Sequence, residues 1–144
     1  IILRAGDATA SWTYNSGTIR ASNNDANNRA RLFCGLQEEA ARATFSQKVN
    51  IEVTSGGTTS EAHPSLGLNS TTAEGSVRRG AVRLDEGSQT FTFRIGGNGV
   101  AEMLIAPGIG LNNVQCLEFM GSVGNTATWF GSQASMQLVL QWNG

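Results

Sequence analysis

The sequence predicts an all-β chain folded as an antiparallel sandwich, and three observations carry that prediction. Segments with a hydrophobic period of two recur along the chain. They are punctuated by turn formers, including 18 glycines. Charged residues make up only 15% of the 144 positions while hydrophobic residues make up 40%, so the polar faces are built from Ser, Thr and Asn. The length suits one domain spanning 1–144. About ten short strands with regular punctuation fit a sandwich or barrel.

The opening IILRAGDATASW places an arginine after three apolar residues and does not read as a signal peptide. Translation does not start on isoleucine, so a methionine or a longer leader is expected ahead of Ile1. ASWTYN, GTIRAS and ARLFCGL follow as candidate strands. GLQEEAARA, 35–43, is rich in helix formers and predicts a short helical connector. In FSQKVNIEV, Phe45, Gln47, Val49, Ile51 and Val53 share one side, and Ser46, Lys48, Asn50 and Glu52 the other. The stretch SGGTTSEAHPS reads as a loop that leaves His63 in solvent.

SLGLNST and GAVRLD are further candidate strands. In QTFTFRI, Phe91, Phe93 and Ile95 alternate with Thr90, Thr92 and Arg94; GGNG then predicts a hairpin turn into VAEMLIAPG. VQCLEFMG and ASMQLVLQW complete the strands, with SVGNTAT expected as a loop between them.

The inventory for chemistry is thin. His63 is the sole histidine, and no GxSxG accompanies it. Glu52, Glu102 and Glu118 lie on strands and are expected to face outward. LDEGS lacks the ligand count of a calcium loop. No zinc spacing and no GxGxxG is present. The expectation is therefore a non-enzymatic chain without a cofactor or metal. Ten basic against eleven acidic residues give a net charge of -1, which supplies no basic excess for nucleic acid. No apolar run approaches the ~20 residues of a membrane span.

Binding residues are sought among the aromatics. Trp12, Tyr14, Trp129 and Phe130 are candidate glycan or partner contacts, because flat rings with polar neighbours stack on sugars. Trp129 and Phe130 are adjacent, so on a strand one of them points to the core. Ile1, Ile2 and Leu3, with Arg78, Arg79 and Arg83, are candidate interface residues. Cys34 and Cys116 are either a disulfide closing a loop of about 80 residues or two buried thiols, and free thiols are favoured.

The order SWTYNSGTIRAS, ATFSQKVNIEVTSGG, EGSQTFTFRIGG, AEMLIAPG and VQCLEFMGSV resembles the jelly-roll sandwiches of carbohydrate-binding modules and of phage virion decoration and spike proteins. It covers roughly residues 11 to 123 and is a likeness of pattern. The chain departs from that pattern at one point: the acidic residue that usually closes the last-named strand is replaced by Glu118 inside LEFMG. The resemblance implies a capsid decoration, cement or spike-type subunit at a virion surface or outside the cell, binding other protein subunits. A glycan-binding module and a fimbrial subunit are the alternatives.

Overall fold

The computed structural model describes residues 2–35, 40–53, 59–75, 77–84, 93–121 and 125–142. Within them the chain forms β1 (Ile2–Ala5), β2 (Ser11–Thr13), β3 (Arg20–Ala21), β4 (Arg29–Cys34), β5 (Ala41–Val53) and β6 (Ser60–Leu68). After these come β7 (Val77–Arg78), β8 (Val82–Leu84), β9 (Phe93–Ile105), β10 (Gly110–Met120), β11 (Thr126–Phe130) and β12 (Met136–Trp142). The only helical element among the described residues is a 3-10 turn at Ser22–Asn24.

The strands form two antiparallel sheets, as the alternation predicts. In the first, β5 is the axis. One flank pairs with β9 from Ala41↔Ile105 to Val53↔Phe93; the other pairs with β12 and then β11. β1 and β2 lie beyond β12 and β11, and β7 adds to β9. In the second sheet β10 is the axis, with β6 then β8 on one flank and β3 and β4 on the other.

The inner faces make the core. Ala41, Ala43, Phe45, Val49 and Ile51 of β5 are fully buried, while Lys48, Asn50 and Glu52 lie outside. One apolar cluster gathers Phe45, Leu66, Cys116, Met136 and Leu138; a second gathers Val49, Ile51, Met120 and Trp129. Gln47, between Phe45 and Val49 on the same face, is fully buried without a hydrogen-bond partner. Trp12 packs against both clusters and closes the seam between them.

Three expectations are corrected. Ala41–Ala43, the end of the predicted helix, are strand; residues 36–39 lie outside the described ones. Pairing on both flanks overrides helix propensity there, and small alanines suit the tight inner face. GGNG is no hairpin turn: β9 runs through it in register with β5. Gly96, Gly97 and Gly99 have no positive φ; a Cβ on Gly99 would come within 2.7 Å of Pro64 on the facing sheet. That glycine serves close approach of the sheets. Phe91, the Phe93 side chain and LDEGS beyond Leu84 lie outside the described residues.

Thirdly, the predicted loop around His63 is the first half of β6, and β11 begins inside the predicted SVGNTAT loop. Pro64 follows the last β6–β8 pair, Ala62↔Val82, so on that flank its missing N–H breaks no ladder bond.

Candidate functional site

Glu118 sits on β10 between Cys116 and Met120 and points inward with them, contrary to the outward placement expected from sequence. Its carboxylate is fully buried and bonded on three sides. The Trp12 indole N–H donates to Oε2 at 2.7 Å. Arg20 reaches Oε1 at 2.9 Å through Nε and 2.8 Å through a terminal nitrogen. The Asn23 backbone N–H donates to Oε1 at 3.2 Å. Asn23 adopts φ 57°, a left-handed geometry that asparagine tolerates, within the turn that follows β3. Burial pushes Glu118 up to about 7, against the bonds from Trp12, Arg20 and Asn23 that favour its charged form.

Asp7 anchors the other side of that turn. Its Oδ2 accepts from Asn28 at 2.6 Å and from Asn23 at 3.0 Å; its Oδ1 accepts from the Thr9 N–H at 2.7 Å. Burial opposes its ionisation, but these bonds outweigh it and hold the carboxyl below its usual value. Asn23 thus links the two carboxylates through one residue. The cluster fixes the β1–β2 and β3–β4 connections against the core.

The aromatics divide. Trp129 is fully buried opposite Trp12 in the β2–β11 ladder, and its N–H donates to the Tyr14 carbonyl at 3.0 Å. It cannot present a stacking face to a glycan. Phe130 is the outward member of the pair, half-buried with the Lys48 ammonium 5.2 Å from its ring. Tyr14 lies half-buried under the Arg20 guanidinium, 3.6 Å from the ring centre, and donates its hydroxyl to Thr18 O at 2.6 Å. Trp12 is half-buried with its polar edge committed to Glu118.

Several of the other acid and base groups find local partners. His63 is buried, correcting the exposed placement, and stacks on Phe119 with ring centres 4.8 Å apart. Its Nε2 lies 3.2 Å from Glu61 and its Nδ1 3.3 Å from Gly80 O. Ser65, on the same face, bonds Glu74 instead. Arg79 pairs with Glu74 and Arg83 with Glu61, whereas Arg78 stands exposed on β7. Glu52 and Glu102 do face outward and pair with Arg94 and Arg42. They stand eight ladder positions apart along β5 and β9, about 26 Å at strand rise. Cys34 faces Gly110 in the β4–β10 ladder, six residues from Cys116; both thiols are free and buried, not joined.

A surface the sequence reading missed lies at one pole of the sandwich. There β1, β5 and β10 begin and β4, β9 and β12 end. Ile2, Phe33, Leu104, Ile109 and Leu111 are 60%, 68%, 73%, 71% and 58% exposed at this pole. Phe33 and Leu111 are ladder partners on the outer face of the second sheet. Ile2 and Leu104 belong to a row across the first, through Gln141 and Arg42. Leu3 turns inward against the core, and Ile1 lies outside the described residues. The signal was available in RARLFC: if Ala30, Leu32 and Cys34 face inward, Phe33 must face out.

No protein-family model matches the chain, and no curated protein is significantly similar to it.

Proposed function

We propose that this chain is a non-enzymatic structural subunit of an assembled particle, of the capsid decoration, cement or spike kind. It holds neighbouring protein subunits through its apolar pole. The observation that carries the reading is the grouping of Ile2, Phe33, Leu104, Ile109 and Leu111, each more than half exposed, around one end. Single apolar residues are ordinary on a surface. Here Ile2 and Leu104 lie on the outer face of the first sheet and Phe33 and Leu111 on that of the second, so this end offers apolar contacts to neighbours on either side. Covering it across a joint between subunits removes apolar area from water only in the assembled state, which that state gains as stability. The Arg42–Glu102 pair beside Leu104 supplies the polar rim such an interface carries. The jelly-roll likeness agrees with this reading, and a virion surface or extracellular setting follows from it.

The glycan-binding alternative loses support from the burial of Trp129 and the commitment of the Trp12 N–H. The fimbrial alternative loses support from β1, which pairs within its own sheet.

Sedimentation velocity tests the proposal. A symmetric oligomer is expected, weakened about tenfold or more, roughly 1.4 kcal/mol, by Phe33→Ser with Leu104→Ser. A strictly monomeric chain whose tryptophan fluorescence is quenched by polysaccharide would overturn it.

A further inference from the structure

The outer face of the second sheet carries a groove of about 290 Å³ lined by Arg29, Asn69, Ser70, Thr71, Asn113 and Gln115. None of the six is acidic. Arg29 opens β4 opposite Gln115, and Arg31 follows on the same face opposite Asn113. The Arg29 Nε is buried without an acceptor, and neither arginine has a carboxylate partner among the described residues. A buried donor of a permanently charged fork without a protein acceptor calls for an explanation, and a role in holding an anion supplies one.

The neighbouring groups narrow the ligand. The Gln115 amide is spent on the carbonyl of Asn28 at 2.9 Å. Asn69 accepts from the Asn113 N–H at 2.7 Å and donates to Asn112 at 3.3 Å. The Ser70 hydroxyl oxygen accepts from the Ala73 N–H at 3.0 Å. The groove lining still offers the Arg29 fork, the Ser70 and Thr71 hydroxyl protons and the Asn113 side-chain amide, all able to donate.

We propose that this groove is an oxyanion site. It takes a sulfate, phosphate or carboxylate group, with Arg29 as the bidentate donor, Thr71 and Asn113 as flanking donors, and Arg31 adding positive field. Such a group reaches it either as a free anion or on an acidic sugar. The Arg31–Asn113 pair stands two ladder positions from Phe33–Leu111 on the same face, but the site does not rest on the docking role proposed above.

Amide chemical shifts report on it directly. Titration with sodium sulfate, phosphate and glucuronate is expected to give saturable shifts around Arg29–Arg31, Asn69–Thr71 and Asn113–Gln115, with none from glucose or chloride. Tighter binding of glucuronate than of inorganic ions identifies a sugar-borne source; the reverse identifies a free anion. Either order supports the site. Arg29→Gln should weaken binding about tenfold or more, while Arg78→Gln, outside the groove, leaves it unchanged. Should Arg29→Gln fail to fold, Thr71→Val with Asn113→Ala serves in its place. Shifts that never saturate, that chloride reproduces, or that persist in the folded variants overturn the proposal.

Discussion

The indole N–H of Trp12 donates to Glu118 Oε2 at 2.7 Å, which ties an edge strand of one sheet to the axis of the other. The carboxylate it meets is fully buried, yet Arg20 reaches it from a position still in contact with water. The bond therefore joins folding to protonation. Burial raises Glu118 from 4.5 to about 7. Between those values the folded chain holds a proton that the unfolded chain has released. Stability should fall as pH rises through that window, by about 3 kcal/mol at most, and stay level above it. Glu118→Gln, which cannot ionise, should flatten this part of the profile in urea unfolding. An unchanged slope would show that Glu118 does not set it.

Asp7 has the opposite sign. Its folded value is lowered, so its stabilisation is present at neutral pH and is lost as pH falls through the folded value. Asp7→Asn keeps the shape but removes a charged acceptor from Asn28, Asn23 and the Thr9 N–H. It should cost about 1–3 kcal/mol at pH 7 and less at pH 3, measured by urea unfolding at both.

Neighbours on β4 should respond in opposite ways. Leu32 is 2% exposed in the core and Phe33 68% exposed at the apolar pole. Leu32→Ala should cost about 2–5 kcal/mol through the cavity it leaves. Phe33→Ala, the larger truncation, should stay within about 0.5 kcal/mol when measured on dissociated monomer. The reverse order of costs would mean that β4 is placed one residue out of register.

What was legible in the sequence follows the reach of local patterning. β5 could be read from Phe45 to Val53 because one flanking face is solvated, and its alternation survives. The predicted helix ended in β5 because Ala41 and Ala43 are governed by strands β9 and β12, which are remote in sequence. Glu118 was placed outward because an isolated carboxylate belongs in water. Its partners Trp12 and Arg20 stand about a hundred positions away, 106 and 98 residues respectively, and local spacing cannot signal them. His63 looked like a loop residue for the same reason: Phe119 and Gly80 cover it only after the sheet has formed.

The glycines of β9 offer the sharpest contrast between a turn and a strand. In a hairpin turn at GGNG, each glycine would be needed for its backbone conformation, and alanine would be costly at all of them. In the continuous strand the cost depends on what faces each position. At Gly99 a methyl group would meet Pro64 carbons at 2.7 Å, where the two sheets come together and a proline ring cannot swing aside. At Gly97 the nearest atoms are Val82 methyls at 3.5 Å, an ordinary contact, and the backbone has no positive φ. Gly99→Ala should therefore lose about 1–3 kcal/mol through overpacking. Gly97→Ala should be neutral or gain up to about 1 kcal/mol by restricting the unfolded chain. Thermal unfolding of the two variants decides the matter. Comparable losses at both positions would restore the turn and break the β5–β9 ladder on which the first sheet is built.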